Sequence, residues 1–363
     1  MKRPVYNFGA GPAMLPVPVM QQVQKEFLDF NGMGVSLIEI SHRSAEFEAL
    51  LAETDVLMRR LTNLPDNYQI LYVHGGAQLQ FSAVPLNLLP LKPAKKALYV
   101  ETGNFAKVAR VEAEKFGDIQ ILASGEPGGF KVIPQITPEM VDPAASYVHI
   151  TSNNTLYGTQ YHQFPKTGEV PLVVDMTSEI LSRVVDYSQF GMVYAGAQKN
   201  LGPSGISVAF VRDDLIGHAP ADCPKLLDYA VYRDNHSMAN TINTFAVYMI
   251  NLVLKWVEQQ GGVAALEKQN QAKASLLYQT LDESDFYSSV ADPAHRSIMN
   301  VCFNLPSEEL LKAFVAEAQA EGLYALKGHR AVGGARASIY NAMPIEGIKA
   351  LTAFMKKFEQ KRG

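Results

Sequence analysis

The sequence has few of the residues that build covalent or metal-linked frameworks. It contains two cysteines, Cys223 and Cys302, among 363 residues, and neither belongs to a CxxC motif or a Cys/His pair. Two isolated cysteines cannot form a disulfide framework, and they lack the spacing of a zinc site. The sequence therefore predicts a protein with no bound metal, in a reducing compartment such as the cytoplasm.

Long hydrophobic runs and a strong charge of one sign are also absent. The most apolar late segment, 245–257, is interrupted by Asn251 and Lys255, and residues 1–7 lack the apolar centre of a signal peptide. We therefore expect neither a membrane span nor a secretion signal. A net charge of −4 gives no electrostatic reason to expect nucleic acid or an anionic membrane as a partner. Any phosphate recognition must come from a local group of residues.

What the sequence does contain is the pattern of an α/β fold. With 363 residues, the chain is longer than the ~250–300 residues at which one core stops growing, so two domains are expected. Between about residues 68 and 212, short apolar runs alternate with helix-like segments, which predicts a largely parallel sheet covered by helices. The predicted strands are 70–73, 97–100, 147–150, 172–174, 192–194 and 206–211.

A smaller α+β unit is predicted after the glycine pair Gly261–Gly262, which follows a helical pattern and resembles a helix end. In this unit we expect a strand at 298–305, a helix capped by Ser307 and a last helix that begins near Pro344. The predicted division is an N-terminal segment 1–15 that packs with the small domain, a large domain 16–260 and a small C-terminal domain 261–363.

Two residues at the predicted sheet edge could carry chemistry. Asp175 ends one strand, and Lys199 follows the next. Ligands collect at the carboxyl ends of strands in open α/β sheets, so we expect both side chains to face one ligand. A lysine that forms a Schiff base and an aspartate that keeps a pyridine nitrogen protonated are the groups that pyridoxal phosphate chemistry requires. Taken singly, Lys199 is better explained as a solvated loop lysine and Asp175 as a helix-capping aspartate; the functional interpretation depends on their occurring together with a phosphate site.

A candidate phosphate site supports the interpretation that Asp175 and Lys199 bind a cofactor. Gly75–Gly76 lies between a strand and a helix-like segment, 79–89, where backbone amides and the helix dipole can hold an anion. By itself such a glycine pair is more often an ordinary tight turn. Phe105 and Thr155 each follow a strand; Phe105 fits a cofactor-stacking ring or a core residue, and Thr155 fits a cap or a site residue.

Cationic residues form a third group. Arg43 lies near the N-terminus, while Arg330 and Arg336 lie in a glycine-rich segment, 327–338. Arginine suits bidentate recognition of carboxylate and phosphate, so these residues are candidate substrate anchors. The alternative is a solvated basic loop. A strand-like run from Arg336 to Tyr340 would fix the direction of the Arg336 guanidinium.

Several segments, in order and spacing along nearly the whole chain, together resemble the phosphoserine aminotransferases. They are Asn7–Pro16, Glu39–Ser44, the Gly75–Gly76 turn, Gly196–Gly202 and Gly328–Gly347, of which the part Arg336–Pro344 is the most distinctive. The resemblance implies pyridoxal 5′-phosphate as cofactor and the fold type I architecture of such transferases. It implies a large cofactor-binding domain with a mainly parallel seven-stranded sheet, a smaller C-terminal α+β domain, and a homodimer with active sites near the subunit interface.

The resemblance also implies residue roles. Lys199 would form the Schiff base, and Asp175 would pair with the pyridine nitrogen. Other cofactor contacts would come from Gly76, Ala77, Phe105, Thr155 and Gln198, with Phe105 stacked where the family commonly has tryptophan. Asn240 and Thr241 would reach the cofactor phosphate of the partner subunit. Arg336 would hold the substrate α-carboxylate, and the distal phosphate or carboxylate would be held by Arg43, His329 and Arg330.

The implied reaction is reversible amino transfer between L-glutamate and 3-phosphohydroxypyruvate, giving O-phospho-L-serine and 2-oxoglutarate in serine biosynthesis. Phosphorylated hydroxythreonine, from pyridoxine biosynthesis, is a second candidate substrate. A cysteine desulfurase or lyase on the same fold would need a catalytic cysteine, and Cys302 lies in a predicted strand. A nicotinamide dehydrogenase would need a glycine fingerprint that Gly9–Met14 does not complete. A non-catalytic phosphometabolite-binding protein remains an alternative.

Overall fold

The computed structural model describes residues 5–363. Within this range the α-helices are α1 Val17–Glu26, α2 Ala45–Thr62, α3 Ala77–Leu88, α4 Asn104–Ala113, α5 Tyr229–Asp234, α6 Thr244–Gln259, α7 Gly262–Asp282, α8 Glu308–Ala320 and α9 Ile345–Arg362. The strands are β1 Tyr6–Asn7, β2 Tyr68–His74, β3 Lys96–Glu101, β4 Asp118–Ser124, β5 Tyr147–Thr151, β6 Asn153–Asn154, β7 Thr159–Gln160, β8 Leu172–Asp175, β9 Met192–Gly196, β10 Ile206–Arg212, β11 Ser288–Ser289, β12 Asn300–Asn304, β13 Leu323–Tyr324 and β14 Ala335–Ser338.

A seven-stranded sheet forms the centre of the molecule, in the order β2-β10-β9-β8-β5-β3-β4. β10 is antiparallel to both of its neighbours, whereas the remaining pairs are parallel. The predicted α/β class with a mainly parallel sheet is therefore confirmed, and all six predicted strands are present. The seventh, β4, lies at the sheet edge, where its half-exposed residues do not form the apolar run of a buried strand.

Helices cover both faces of this sheet. β5, β8 and β9 are buried at every residue, as expected of strands with helices on each side. One face packs against α2 and α6, through side chains such as Phe47 and Ile250. The other packs against α3, α4 and α5, through side chains such as Phe81 and Tyr229. This layering places the carboxyl ends of the parallel strands at one edge, open to a ligand.

A second hydrophobic core lies in the C-terminal part of the chain. A three-stranded antiparallel sheet, β11-β12-β14, packs there with α7, α8 and α9. Phe8 and Met14 belong to the same core, and β1 pairs in parallel with β13. Residues 6–14 thus contact the C-terminal unit; residues 1–4 of the predicted N-terminal segment lie outside the described residues, and the division at residues 15 and 260 stays a prediction.

Several helix ends follow the local sequence signals. Ser307 accepts a hydrogen bond from the Leu310 amide (3.2 Å) and caps α8, and α9 begins directly after Pro344. Gly261, with φ of +93°, separates α6 from α7, so the glycine pair is a tight junction between two helices. In the described part of the chain, no helix is both long enough and apolar enough to cross a membrane.

Removing Phe314 should strongly destabilise the C-terminal unit. Its ring is fully buried in α8 and lies 5.1 Å from the Phe354 ring and 5.3 Å from the Phe358 ring, centroid to centroid. Phe314→Ala should lower the free energy of unfolding by about 3–5 kcal/mol, because a cavity adds to the lost burial. Urea unfolding monitored by circular dichroism measures this loss. Lys312→Ala, an exposed change in the same helix, is the control and should stay within about 0.5 kcal/mol of wild type.

Candidate active site

A cavity of about 480 Å³ opens at the carboxyl ends of the parallel strands. Nine of the residues predicted from the sequence line it: Gly76, Ala77, Phe105, Thr155, Asp175, Gln198, Lys199, His329 and Arg336. They come from the ends of strands, from the turns and helix starts that follow strands, and from the C-terminal unit. The fold therefore brings together residues that are far apart in the sequence.

Lys199 lies in the turn after β9 and is buried, with a relative exposure of 9%. Its Nζ donates a hydrogen bond to Thr155 Oγ1 at 2.7 Å and lies 5.9 Å from the centroid of the Phe105 ring. Burial lowers the pKa of Lys199 to about 8; Asp175 opposes this effect, and the Arg336 cation adds to it. An amine with such a pKa is available as a nucleophile or base close to neutral pH.

Asp175 ends β8 and is also buried. One of its carboxylate oxygens accepts a hydrogen bond from the Thr177 amide at 2.9 Å, and the Thr177 hydroxyl accepts one from the Gly196 amide at 3.1 Å. Burial raises the pKa of Asp175, while Thr177 and Lys199 favour its charged form. The carboxylate is thus held in place but poorly solvated, and it would be stabilised by a positively charged ligand.

An anion site borders the same cavity at the start of α3. Gly76 precedes this 12-residue helix and makes no side-chain cap, so the first-turn amides and the positive end of the helix dipole are available to an anion. No atom lies within 4 Å of the position that a Cβ on Gly76 would take. Gln198 Oε1 is buried without a partner at the same cavity. These features fit a ligand that carries a phosphate and further hydrogen-bonding groups.

Arg336 provides a cation from the opposite side. It lies in β14, where its amide donates to Leu326 O at 2.8 Å, so the backbone of this residue is fixed. Its Nε is buried and has no hydrogen-bond partner. A buried guanidinium nitrogen without a partner is costly, and a carboxylate ligand would satisfy it.

Four predicted residues do not line this cavity. Arg43 is exposed in the segment before α2, and Arg330 is exposed in the turn before β14. Asn240 and Thr241 lie between α5 and α6. The single chain therefore gathers only part of the predicted substrate and phosphate contacts, and the roles of these four residues remain predictions.

Sequence reasoning missed other residues of the cavity wall: Ala10, Gly11, Gln78, Phe81, Thr151, Asn153, Leu156, Thr177 and Ser178. Thr177 had a usable signal, because an Asp side chain often accepts a hydrogen bond from the backbone amide two residues later in an Asx-turn. Gly11 had none. Its Cβ would lie 3.5 Å from Lys199 Cγ, a contact that only the folded chain reveals.

Neither cysteine is placed for catalysis. Cys302 is buried, and burial raises the pKa of its thiol to about 12. Burial also raises the pKa of Cys223, and neither residue lines the cavity. A reactive cysteine needs the opposite environment, with a lowered pKa and access to substrate. The arrangement thus argues against a cysteine desulfurase.

Comparison with known proteins agrees with this geometry. The aminotransferase class-V family model matches residues 5–351. The phosphoserine aminotransferase of Bacillus cereus is 51% identical to this chain, and the match covers 98% of each sequence. That of Listeria monocytogenes is also 51% identical, and the match covers 99% of this chain and 97% of the relative. The solved phosphoserine aminotransferase of Bacillus circulans subsp. alkalophilus has a TM-score of 0.96 at 46% identity and covers 99% of each chain. A pyridoxal-phosphate-bound phosphoserine aminotransferase of Trichomonas vaginalis has a TM-score of 0.89 at 34% identity, covering 97% of this chain and 99% of that one. The chain therefore belongs to the class-V aminotransferases and, within them, to the phosphoserine aminotransferase family.

Proposed function

We propose that this enzyme transfers an amino group reversibly between L-glutamate and 3-phosphohydroxypyruvate, giving O-phospho-L-serine and 2-oxoglutarate. The observation that carries the proposal is the convergence of Lys199, Asp175 and Arg336 on one cavity that also borders the N-terminus of α3. Lysine and aspartate serve the cofactor, the helix terminus serves its phosphate, and the arginine serves a substrate carboxylate. The full-length relationship to phosphoserine aminotransferases supports the same reaction.

The residues of the cavity fit pyridoxal 5′-phosphate, the cofactor of this aminotransferase family. When bound, this group supplies the carbonyl that accepts the amino group and the ring that takes up electrons. The first turn of α3 at Gly76 and Ala77 would hold its phosphate, together with Gln198, whose side-chain Nε2 can donate to a phosphate oxygen. Phe105 would pack against its ring, and Lys199 and Thr155 would lie at its reacting end.

Asp175 would hold a proton on the pyridine nitrogen. Its burial disfavours the bare carboxylate, and a protonated ring nitrogen beside it would supply the missing positive charge. Thr177 orients the carboxylate through its amide. The attraction between the carboxylate and the protonated ring nitrogen would be stronger in the water-poor cavity. It would keep the ring protonated and therefore electron-withdrawing.

Lys199 would act as the base at the substrate Cα. Because its pKa is about 8, an appreciable fraction of the amine is neutral at physiological pH. The neutral amine can take the proton from the substrate Cα and deliver it to the C4′ carbon of the cofactor. Arg336 would fix the substrate by its α-carboxylate, so that this proton faces Lys199.

The distal group of the substrate would be bound by His329, which lines the cavity, together with Arg330 and Arg43.

We further propose a homodimer in which Asn240 and Thr241 reach the cofactor phosphate of the partner subunit. Exposed apolar side chains shortly before Arg43 support an interface there: Phe27, Leu28, Met33, Val35 and Ile38.

A cationic distal site would also accept the phosphorylated hydroxythreonine of pyridoxine biosynthesis. Both cysteines are free, which is compatible with the proposed cytoplasmic location.

The substrate assignment can be tested by absorption spectroscopy of the cofactor-saturated protein. O-phospho-L-serine should abolish the visible absorption band of the bound cofactor, whereas L-serine at the same concentration should not. His329→Ala should raise the phosphoserine concentration needed by about 10-fold or more, because a contact to a charged group is lost. Lys199→Ala is the control that shows whether the band depends on this lysine. A band that ignores phosphoserine but responds to another amino acid would disprove the substrate assignment.

The lowered pKa of Lys199 predicts how cofactor binding depends on pH. Only the neutral amine attacks a carbonyl, so the association rate of pyridoxal 5′-phosphate with cofactor-depleted protein should rise with pH and level off above a midpoint near pH 8. The Arg336 cation disfavours the lysine ammonium, so Arg336→Gln should move the midpoint upward. Stopped-flow absorbance measures both profiles. A wild-type midpoint close to the ordinary lysine value of about 10.4 would contradict this account.

Mixed dimers test the proposed roles of Asn240 and Thr241. Lys199→Ala and the double variant Asn240→Ala/Thr241→Ala should each lack cofactor-retaining active sites at limiting cofactor. If these two residues serve the partner, random remixing should restore roughly a quarter of the wild-type activity, since half of the dimers gain one intact site. If they serve their own subunit, remixing restores nothing. Sedimentation analysis should show a dimer, and a wild-type monomer would rule out the proposed arrangement.

A further inference from the structure

Asn200, the residue directly after Lys199, connects two separate backbone segments with one side chain. Its Oδ1 accepts a hydrogen bond from the Asn341 amide at 3.0 Å, and its Nδ2 donates to the carbonyl oxygen of Ile180 at 3.0 Å. Asn200 is buried, with a relative exposure of 5%, so little water competes for these bonds. The side chain therefore links the turn that carries Lys199 to the chain that follows β14.

Asn341 makes further hydrogen bonds to the segment that follows β8. Its Nδ2 donates to the carbonyl oxygen of Leu181 at 2.9 Å. Its Oδ1 accepts from Asn270 Nδ2 at 2.8 Å, and the same Nδ2 donates to the carbonyl oxygen of Ser182 at 2.8 Å. Asn341 and Asn270 are both buried. Three amide side chains, those of Asn200, Asn270 and Asn341, thus join the end of β14 to the large α/β part of the molecule.

The same stretch of chain carries Arg336. Asn341 lies five residues after Arg336. Between them, the Ile339 amide donates to the carbonyl oxygen of Met299 at 2.8 Å, and the Ile339 side chain is fully buried. This short, pinned segment leaves little slack. A shift of Asn341 would therefore move the Arg336 guanidinium relative to Lys199, which lines the same cavity.

An asparagine suits this connection because its side chain accepts and donates at the same time. An aspartate at position 200 would have no proton to donate to the Ile180 carbonyl oxygen, and an aliphatic side chain would bind neither backbone segment. Without the Asn200 side chain, the Asn341 amide would lose its acceptor in a buried place. Because an unpaired buried amide is unfavourable, the segment would shift or admit water.

We propose that Asn200 is a positioning residue that, through the Asn341 backbone, sets the place of the Arg336 guanidinium relative to the Lys199 amine. The inference rests on the proposed function, in which Arg336 holds the substrate α-carboxylate and Lys199 moves the Cα proton. Asn200 does not line the cavity, so it acts on the substrate only through these neighbours. A displaced Arg336 would still attract the carboxylate but would turn the Cα proton away from Lys199.

The test compares two amines that differ only in the α-carboxylate. O-phospho-L-serine carries this group, whereas O-phosphoethanolamine lacks it and keeps the phosphate. For each amine, stopped-flow absorbance gives the rate constant for loss of the cofactor band and the concentration needed for half of that rate. The quotient of the two is the efficiency. The ratio of efficiencies, phosphoserine over phosphoethanolamine, isolates the benefit of the α-carboxylate, because a general loosening of the site affects both amines.

Asn200→Ala should lower this ratio by about 10-fold, mainly through the rate constant, because misplaced reacting groups react slowly. Arg336→Gln should lower it by about 100-fold, since the charged contact itself is lost. The smaller effect of Asn200→Ala is expected because a second connection, from Asn153 Nδ2 to Asn300 Oδ1 at 2.8 Å, remains in that variant. In the Arg336→Gln background, Asn200→Ala should lower the ratio no further.

Asn87→Ala is the matched control. Asn87 is fully buried, its Oδ1 accepts from the Tyr229 amide at 2.9 Å, and its Nδ2 donates to the carbonyl oxygen of Leu227 at 2.7 Å. It therefore joins two backbone segments by the same chemistry as Asn200, but away from the cavity. Its removal should cost stability and leave the ratio of efficiencies unchanged.

Amide hydrogen exchange of the cofactor-saturated protein gives a readout that does not depend on activity. In Asn200→Ala the Asn341 amide has lost its acceptor, so a peptide that contains Asn341 should exchange faster than in wild type. In Asn87→Ala the same peptide should exchange as in wild type. A lowered ratio without faster exchange of this peptide would show that the effect does not pass through Asn341, and it would overturn the inference.

The inference is also overturned if Asn200→Ala keeps the wild-type ratio, if Asn87→Ala lowers the ratio equally, or if Asn200→Ala still lowers it in the Arg336→Gln background. Should Asn200→Ala fail to fold, Asn341→Ala decides. This variant loses the hydrogen bonds to Leu181 and Asn270 and should also lower the ratio, and an unchanged ratio would contradict the proposal.

Failure of the proposed function gives a different result. In that case the wild-type protein forms no cofactor band, phosphoserine does not abolish it, or Arg336→Gln keeps the wild-type ratio. Both proposals then fall together. A normal wild-type response and a lowered ratio in Arg336→Gln, combined with an unchanged ratio in Asn200→Ala, remove only the role of Asn200.

Discussion

The burial of two oppositely charged side chains in one cavity is the constraint on which the site depends. Lys199 and Asp175 do not satisfy each other directly: the lysine donates to Thr155, and the aspartate accepts from Thr177. Burial therefore disfavours the charged form of both, lowering the pKa of one and raising that of the other. A ligand that brings a cation to Asp175 and a carbonyl to Lys199 relieves both costs. Burying these two charged groups costs free energy, and the same burial makes the cavity selective for such a ligand.

The fold supplies this arrangement from its topology. The carboxyl ends of the parallel strands lie at one edge of the sheet, so Thr151, Asp175 and the turn after Gly196 lie close together there. Strand pairing alone accounts for this, whatever the conformation of the loops. The C-terminal unit closes the opposite side and contributes His329 and Arg336. Segment 236–241, which carries Asn240 and Thr241, begins with two non-glycine residues of positive φ, His236 and Ser237. Ser237 Oγ accepts the Tyr72 amide at 2.9 Å, so this unusual backbone is held by the edge strand of the central sheet.

Much of this could be predicted from the sequence, because strands buried on both faces leave continuous apolar runs such as 147–150 and 172–174. Asp175 and Lys199 were found for the same reason, since each follows such a run. β4 was missed because an edge strand needs no apolar face, and α3 begins at Ala77, two residues before the predicted segment. The hydrogen bond from the Tyr340 hydroxyl to the Ala10 carbonyl oxygen joins residues that are far apart in the sequence, and no periodicity encodes it. Arg43 and Arg330 could be chosen by chemistry, but their positions depend on exposed segments whose placement no local pattern determines.

The two proposed substrate anchors, Arg336 and the pair His329 and Arg330, differ in how the backbone holds them, and this difference suits a site that accepts two distal groups. Arg336 is fixed in β14, where Cys302 on β12 lies opposite. His329 and Arg330 instead belong to a turn built on Gly328, Gly333 and Gly334. A Cβ on Gly328 would lie 2.1 Å from Gly333 O, and the other two glycines have φ of +79° and +62°. Every amino acid substrate has the same α-carboxylate, so its anchor can be rigid. Phosphoserine and glutamate differ at the distal end, in size and in charge, and the proposed anchors on a separate turn would meet either group without disturbing the geometry at Lys199.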